Sequence, residues 1–335
     1  MPSIVHAIAS LEGGGAERQV AMLASEQAAR GWDVHLALRR GGPYRALVDP
    51  RVSLHWLGDH DRAHPRLVYT LARLLRRVRP DLVQTWLPQM DIVAGAVATT
   101  LGTPWVMTER TTAAAYPRHL AVLRRIAARG AAAIIANSRA GAAMWPDAAV
   151  IANAVDIAAV RKARPLARSQ VLWVGRLARE KAPDVMVAAS AGLEVRMIGD
   201  GPMRVEIHAE PFRLDWWGYL QTADVFASTS RVEGQPNTVL EAMAAGCPLV
   251  VTDLPAHREI LDDRSARFVP ADDPAAFALA LRDVLRDRDL ARERAEVATQ
   301  RIALHSVTRT ADAYEAVYAR VLARARMRGR RIPPR

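Results

Sequence analysis

Two glutamates eight positions apart, Glu233 and Glu241, form the most informative pattern in the sequence. Between them Pro236 precedes Asn237, and proline suits the first turn of a helix because its φ is fixed and no N–H is needed there. We expect a helix to begin here with Asn237 as its N-cap and the next amides aimed outward, an arrangement that attracts phosphate. Glu241, about one turn into the helix, can accept hydrogen bonds from both hydroxyls of a ribose. Glu233, in the preceding loop, can face a sugar ring.

The competing interpretation is that both carboxylates are ordinary. Glu241 would merely favour the dipole of a first helical turn, and Glu233 would be a solvated loop residue. Because surface carboxylates are common, two isolated glutamates would not define a site. The whole string from Glu233 to Gly246 is more specific, since Ala223-Asp-Val-Phe precedes it and Pro248-Leu-Val-Val-Thr-Asp follows it.

A second motif, Val174-Gly-Arg-Leu-Ala-Arg-Glu-Lys181, follows one predicted strand and precedes a helix predicted over 183–191. Arg176 and Lys181 should therefore lie at the carboxyl end of a strand, where ligands of α/β sheets bind. An arginine fork and a lysine point charge together suit a diphosphate. The alternative is a solvated basic loop. Lys181 is more informative than a lysine would be elsewhere, because Lys162 is the only other lysine in the sequence.

Two glycine-containing turns accompany these motifs. Gly13-Gly-Gly-Ala-Glu-Arg18 comes after the first predicted strand and opens a helix. There Gly14 and Gly15 would allow close approach of the backbone to a ligand at the helix N-terminus, although a plain strand–helix turn has the same pattern. Gly199-Asp-Gly-Pro202 is typical of turns, and we expect it to have a structural role.

Taken together and in this order, the motifs resemble those of retaining GT-B glycosyltransferases of family four (glycosyl transferases group 1), of the type that builds surface polysaccharides. The resemblance spans nearly the whole chain. It implies two Rossmann-like domains facing a cleft, a UDP-sugar or GDP-sugar donor, retention at the anomeric carbon, no cofactor and no essential metal. It also implies catalytic roles for Glu233, Arg176 and Lys181, within a donor-binding set of Gly14, Gly15, Arg176, Lys181, Glu233, Asn237, Thr238 and Glu241.

The sequence departs from the family pattern in three places. Ala182-Pro183 replaces a glycine after Lys181, and the region 211–224, which borders the nucleotide base in the family, is short. Many relatives have a histidine at the end of the fourth or fifth strand of the first domain, whereas this chain has Glu109 and Arg110 after the strand predicted over 104–108. Either these two residues orient the acceptor or they form a buried ion pair.

Short apolar runs alternate with longer amphipathic segments throughout the chain, which predicts parallel α/β sheets. We predict an acceptor-side domain over 1–155, a nucleotide-sugar-binding domain over 156–309, and a C-terminal helix with a basic tail over 310–335 that returns to the first domain. The stretch 154–169 has weak periodicity and contains Pro165, so we interpret it as the linker. The predicted strands span 3–9, 33–38, 81–86, 104–108, 133–137, 170–175, 194–198, 225–228 and 249–252.

Charge is distributed unevenly along the 335 residues. Residues 1–160 contain 18 Arg and 12 Asp plus Glu, a net charge of +6, whereas residues 161–319 have a net charge of −2. The last sixteen residues contain seven Arg and no acid. Such a distribution suits an anionic partner. Helices predicted over 66–79 and 118–129 are basic and amphipathic, so they either contact anionic lipid or simply pack on the sheet.

The sequence contains no signal peptide and no membrane span that we recognise, and the lone Cys247 excludes an internal disulfide. We therefore predict a cytoplasmic protein, peripheral on the inner membrane face, that transfers a hexose to a lipid-linked or other glycan acceptor in polysaccharide or lipopolysaccharide biosynthesis. Alternatives are a GT-B epimerase or phosphorylase, and a non-catalytic basic membrane-binding protein. A dinucleotide fingerprint and a nucleic-acid-binding module are both missing, so we expect neither a dehydrogenase nor a nucleic-acid partner.

Overall fold

A computed structural model describes residues 2–58, 65–111 and 117–327. The chain divides into two compact units. One contains the chain up to Ala154 together with the chain from Val307 onward, and the other is Val155–Ser306. Each unit is built on a parallel sheet. The predicted class, two parallel α/β units, is confirmed.

Among the described residues, the first unit has a seven-stranded sheet with the order β3-β2-β1-β4-β5-β6-β7. The interior strand β1 pairs in parallel with β2 and β4, and all of its residues are buried. The strands are β1 (Ser3–Ile8), β2 (Asp33–Leu38), β3 (Ser53–Trp56), β4 (Leu82–Trp86), β5 (Trp105–Glu109), β6 (Ala133–Ala136) and β7 (Ala149–Val150).

The second unit has a five-stranded sheet with the order β12-β11-β10-β8-β9. Its interior strands are buried and apolar except for Ser228 and Thr252 at their ends, as expected where helices cover both faces of a parallel sheet. The strands are β8 (Val171–Val174), β9 (Val195–Ile198), β10 (Val225–Ser228), β11 (Leu249–Thr252) and β12 (Arg267–Val269).

Helices connect most of these strands. In the first unit they are α1 (Gly15–Ala29), α2 (Pro65–Val78), α3 (Leu87–Leu101), α4 (Arg118–Ala128), α5 (Arg139–Ala142) and the C-terminal α13 (Val307–Met327). In the second unit they are α6 (Ile157–Lys162), α7 (Pro183–Ala189), α8 (Trp217–Leu220), α9 (Asn237–Ala245), α10 (Pro255–Arg258), α11 (Pro274–Arg286) and α12 (Arg288–Arg301).

All of the predicted strands are present, with ends that differ by at most one residue. The sequence analysis missed β3, β7 and β12 because they are short and lie at sheet edges, where one side of the strand needs no apolar partner. The linker prediction over 154–169 needs correction, since α6 forms inside it. Asp156 caps this helix by accepting a hydrogen bond from the amide of Ala159 at 2.9 Å, and Val160 is buried beneath it.

The C-terminal helix packs on the first unit, as predicted. Tyr314 of α13 stacks on Trp86 with ring centroids 6.4 Å apart, and Tyr318 makes an edge contact with Trp32 at 5.8 Å. At the surface, Arg30, the C-cap residue of α1, donates a hydrogen bond to Asp312 at 2.6 Å. Part of the predicted basic tail, residues 328–335, lies outside the described residues. Within the described ranges, no helix combines the length and apolar character needed to cross a bilayer.

Candidate active site

The loops that follow β8 and β10 in the second unit are joined to each other. The two strands are parallel neighbours, so their carboxyl ends meet at one edge of the sheet. The hydroxyl of Thr229 donates to the carbonyl oxygens of Lys181 at 3.0 Å and Ala182 at 2.8 Å. The amide of Arg231 donates to the carbonyl oxygen of Glu180 at 2.8 Å. The two predicted donor motifs therefore form a single site.

An ion pair lies at the centre of this site. Lys181 Nζ is 2.5 Å from Glu233 Oε1, and the hydroxyl of Ser230 donates to the same oxygen at 2.7 Å. The Glu233 side chain is 7% exposed and that of Lys181 is 27% exposed. Burial alone would raise the pKa of Glu233, but Lys181, His257 and Ser230 together lower it below its usual value. Glu233 is thus held as a carboxylate beside a cation that solvent still reaches.

His257 supports this site, and the sequence analysis missed it. It lies on α10, is fully buried, and places Nδ1 2.7 Å from the carbonyl oxygen of Thr252. Burial lowers the pKa of His257 against the opposing attraction of Glu233. Because a carbonyl only accepts, Nδ1 carries the proton, and Nε2 faces the Ser228 hydroxyl at 3.4 Å. No spacing in the sequence relates His257 to Glu233.

Arg176 occupies the start of the same loop. Its side chain is 68% exposed and lies 3.9 Å from Glu180. The loop is held by the turn Gly199–Pro202, because the amide of Leu177 donates to the carbonyl oxygen of Asp200 at 2.9 Å. A Cβ at Gly199 would overlap the carbonyl oxygen of Gly175, and a Cβ at Gly201 would overlap that of Leu177. The turn therefore has the structural role that its sequence predicts.

The helix after Glu233 begins one residue earlier than predicted. Pro236, with φ −83° and ψ 94°, is the N-cap of α9, and Asn237 is the first helical residue. The prediction of Asn237 as N-cap was therefore wrong, because Pro236 itself adopts the extended conformation of that position. Glu241 is 97% buried on the fifth residue of α9, and Thr238 is half-buried in its first turn. Glu233 lies in the preceding loop, as predicted.

Ala182 adopts a conformation that favours glycine. Its φ of +47° and ψ of 53° are left-handed, and the residue is fully buried before Pro183 opens α7. A left-handed alanine costs about 1–2 kcal/mol. Two hydrogen bonds from the Thr229 loop and from helix α7 hold it there, since its carbonyl oxygen accepts from Thr229 and from the amide of Val185 at 3.2 Å. The replacement of glycine at this point thus keeps the turn that presents Lys181.

In the first unit, the glycine run lies between β1 and α1. Gly14 is the N-cap of α1, with an extended φ of −85° and ψ of 167°, and Gly15 is the first helical residue. Gly13 has a φ of +141°, which an L side chain rarely adopts. The placement of Gly14 and Gly15 at a helix N-terminus matches the prediction.

Glu109 ends β5, and Arg110 follows it. Glu109 is fully buried, and its Oε2 accepts hydrogen bonds from Arg124 at 2.7 Å and from Trp145 at 3.1 Å. Its Oε1 accepts from the amides of Arg110 at 2.9 Å and Thr111 at 3.1 Å. Glu109 is therefore in a buried ion pair, which was one of the two predicted alternatives, although its cation is Arg124.

Arg124 holds a second carboxylate as well. Its Nη2 lies 2.8 Å from Asp91 Oδ2, and Asp91 Oδ1 accepts a hydrogen bond from Thr85 at 2.7 Å. The Asp91 and Glu109 side chains are fully buried and Arg124 is 2% exposed. Burial raises the pKa of Asp91 to about 6 against the opposing effect of Arg124.

Arg110 belongs to a different network. Its guanidinium lies over the ring of Trp86 at 4.3 Å from the centroid and donates to Asn153 Oδ1 at 2.6 Å. It also donates to the hydroxyl of Tyr314 at 2.8 Å. Burial lowers the pKa of Arg110. Gln19 on α1 exchanges two hydrogen bonds with the backbone of Ala154, next to Asn153, at 2.9 and 2.8 Å.

The arrangement in the second unit suits a ligand with adjoining anionic and polyol parts. Lys181 and Arg176 supply two reachable cations, and Glu233 supplies a hydrogen-bond acceptor beside them. Over the residues that the structure describes, no group of three or more His, Cys, Asp or Glu side chains could hold a metal ion. Cys247 is buried, and burial raises the pKa of its thiol to about 12.

Both units match known families. Residues 13–159 match the model of Glycosyltransferase Family 4, and residues 168–287 match the model of Glycosyl transferases group 1. The first match contains the glycine run and β5, and the second contains the Lys181–Glu233 site.

Two curated relatives illustrate the similarity. The chain is 24% identical to the lipopolysaccharide core biosynthesis glycosyltransferase LpsE of Rhizobium meliloti over 319 residues, covering 84% of this chain and 89% of that protein. It is 29% identical to D-inositol 3-phosphate glycosyltransferase of Corynebacterium urealyticum over 185 residues, which spans 46% of this chain and only 43% of that relative.

A solved structure shares the fold. The crystal structure of Anabaena HepE in complex with UDP and glucose has a TM-score of 0.84 and 17% sequence identity. The similarity covers 95% of this chain and 100% of that one. The GT-B fold predicted from the sequence is confirmed.

Proposed function

We propose that the chain, whose two units match glycosyltransferase family models and whose fold is GT-B, moves a hexose from a nucleoside-diphosphate sugar to a glycan acceptor with retention of anomeric configuration. The ion pair between Lys181 and Glu233 is the observation that carries the proposal. It brings the predicted diphosphate-binding and sugar-binding motifs to one edge of the second sheet.

Four sets of groups in the second unit bind the donor in this proposal. Arg176 and Lys181 bind the diphosphate, and the first turn of α9, including Asn237 and Thr238, adds backbone amides and the positive end of the helix dipole. Glu241 accepts hydrogen bonds from the ribose. Glu233 contacts the transferred sugar. Gly14 and Gly15, at the N-terminus of α1, remain predicted donor-binding residues. HepE has been crystallised with UDP-glucose, and UDP-sugars and GDP-sugars are both candidate donors here.

Charge stabilisation is the main catalytic contribution that we propose. As the glycosidic bond to phosphate breaks, negative charge grows on the leaving diphosphate, and Arg176 and Lys181 already stand where they can neutralise it. Glu233 keeps Lys181 in position and accepts a hydrogen bond from the sugar. The acceptor hydroxyl attacks from the side of the leaving group, and the departing phosphate oxygen takes its proton. No metal is required for these steps.

For the acceptor we propose a role for Arg110 rather than Glu109. Both oxygens of Glu109 are occupied inside the unit, so this carboxylate positions the end of β5. Arg110 is half-buried at the same strand end, where a polar acceptor can reach it. Its contacts with Trp86 and Tyr314 fix the direction of the guanidinium.

A lipid-linked acceptor on the inner membrane face fits the charge distribution. The first half of the sequence has a net charge of +6, and each basic residue near an anionic surface contributes about 1 kcal/mol to attachment. Similarity to LpsE, a lipopolysaccharide core enzyme by its name, supports a surface-glycan product.

The decisive experiment is a donor screen on the purified chain. Calorimetry with UDP, GDP and their sugars should identify one base, and mass spectrometry should then detect transfer of the matching sugar to a glycan acceptor. Inversion of the anomeric configuration in the product would contradict the retaining mechanism. Release of the free nucleotide with an isomerised sugar, or a requirement for inorganic phosphate, would instead favour an epimerase or a phosphorylase.

A further inference from the structure

Helix α4 of the first unit faces the opposite way from an ordinary surface helix. Within α4, all of whose residues are described, Arg124 alone is fully buried. Three large apolar side chains point outward instead: Val122 is 55% exposed, Leu123 is 47% exposed and Ile126 is 54% exposed. The inner face is thus occupied by the ion pairs of Arg124 with Asp91 and Glu109, and these ion pairs fix the rotation of the helix.

The neighbouring helix α2 shows the usual orientation. It buries Leu67, Leu71, Leu74 and Leu75 and exposes its arginines. Helix α3 packs against both α2 and α4, so the three form one layer on the sheet of the first unit. For α2, the alternative that its apolar side packs on the sheet is therefore confirmed. For α4 that explanation does not account for Val122, Leu123 and Ile126, because these three side chains are exposed.

The outward face of α4 combines apolar and basic side chains in an ordered way. Arg118, Arg125 and Arg129 are exposed and recur at helical spacing along one line. Val122 lies within that line, and Leu123 and Ile126 lie beside it. Neither α4 nor α2 contains an acidic residue. An apolar strip flanked by arginines, with no acid, is complementary to the surface of an anionic bilayer, where apolar groups enter the acyl boundary and arginines meet phosphates.

We propose that the outward face of α4, defined by Val122, Leu123 and Ile126 with Arg118, Arg125 and Arg129, inserts into the surface of anionic membranes. The inference rests on the proposed membrane attachment and names the surface that makes it. It differs from attachment by charge alone, because the apolar strip keeps part of the binding at high salt, whereas purely electrostatic binding is screened.

A site-specific fluorescent label tests insertion directly. Leu123→Cys can be labelled selectively with an environment-sensitive dye, because the only natural thiol, Cys247, is buried. The matched control is Leu279→Cys on α11, which is 55% exposed in the second unit. Vesicles of phosphatidylglycerol and phosphatidylcholine should shift the emission of the label at position 123 to the blue and leave the label at 279 unchanged.

Three results would overturn the proposal. One is an unchanged spectrum at position 123, and another is an equal shift at 279. The third is a shift at 123 that depends on protein concentration without vesicles, because that result would mean that a second copy of the chain covers the face.

Substitutions separate the two parts of the surface. Val122→Gln, Leu123→Gln and Ile126→Gln combined should lower partitioning into anionic vesicles about tenfold or more, at low and at high salt. The control triple variant Val205→Gln, Leu279→Gln and Leu304→Gln removes apolar groups from the second unit that are at least as exposed, and it should partition like the wild type. Replacing the three arginines with glutamine should reduce only the component that salt removes.

Sugar transfer to a water-soluble acceptor should be unchanged in the apolar triple variant. This measurement keeps the two proposals apart. Absence of vesicle binding by the wild type would contradict the role proposed for the outward face of α4. Absence of transfer by the wild type with every donor and acceptor would contradict the proposed function, but it would not affect the vesicle result.

Discussion

Two buried glutamates at strand ends have opposite surroundings. Glu109 ends β5 of the first sheet, and its cation, Arg124, is 2% exposed. Glu233 follows β10 of the second sheet, and its cation, Lys181, is 27% exposed. In the first cluster every charge faces another protein group. In the second, the positive partner still reaches solvent and can meet a ligand.

The difference shows how to distinguish a structural from a functional buried carboxylate. A closed cluster of two carboxylates and one arginine fixes the orientation of a helix, and breaking it leaves unpaired charge in the interior. An open pair keeps the carboxylate ionised and leaves the cation available. Exposure of the cation therefore carries more functional information than burial of the carboxylate.

The largest expected effect is in the closed cluster. Arg124→Leu should lower the free energy of unfolding of the first unit by about 3–5 kcal/mol, because Asp91 and Glu109 would stay buried with no cation. Urea denaturation followed by circular dichroism measures this change. Arg125→Leu, which alters the exposed neighbour, should change stability by less than about 0.5 kcal/mol. Equal destabilisation by the two variants would mean that the closed cluster is not structural.

Substitution of Glu233 in the open pair should mainly lower the turnover number. Glu233→Gln should lower kcat with the intact sugar donor by about 10²–10³-fold, the range for loss of one group that acts on a transition state, and should spare the affinity for the bare nucleotide. Glu241→Gln should instead weaken binding of the bare nucleotide, by about 1.5–3 kcal/mol. Calorimetry with nucleotide and a transfer assay measure the two effects. Identical behaviour of both variants would refute the division of roles.

Arg176 and Lys181 should bind the diphosphate of the donor. Arg176→Ala and Lys181→Ala should each weaken nucleoside-diphosphate binding by about 1–3 kcal/mol. Unchanged affinity in both variants would rule out the proposed diphosphate site.

The two cation variants should differ in pH dependence. Lys181→Ala removes an attraction that lowers the pKa of Glu233 while the opposing burial remains, so that pKa should rise. Turnover of this variant should then fall at a higher pH than in the wild type as the solution is acidified. Arg176→Ala should retain the wild-type pH profile. The same shift in both variants would mean that Lys181 has no special influence on the pKa of Glu233.

The smallest expected effect concerns metal ions. If Arg176 and Lys181 neutralise the leaving group, transfer should be unchanged in excess chelator. Loss of activity that magnesium or manganese restores would show that the open site is incomplete without a divalent ion.

The apolar pattern of the sequence was sufficient to predict the sheets, because buried parallel strands such as β8 and β10 read as continuous apolar runs. The open site was also predictable, since Lys181 and Glu233 belong to local motifs that follow adjacent strands. The short edge strand β7 was not predictable, because two residues are too few to show a period.

The closed cluster could not be derived from the sequence. Arg124 is fifteen positions from Glu109, on a helix whose other arginines are exposed, and no spacing rule indicates which arginine turns inward. The sequence therefore left the role of Glu109 open between acceptor contact and ion pair. His257 escaped notice for a similar reason, because its relation to Glu233 exists only after β11 and α10 have packed.

The return of α13 to the first unit has a consequence for biosynthesis. Tyr314 and Tyr318 fill the space beside Trp86 and the end of β5, yet the ribosome produces them after the whole of Val155–Ser306. The second unit can therefore complete its core while the first still lacks a helix, the reverse of the usual order in which the N-terminal domain folds first. A chain that stops before Val307 would keep the groups proposed to bind the sugar nucleotide in the second unit and lose the hydrogen bond from Arg110 to the hydroxyl of Tyr314.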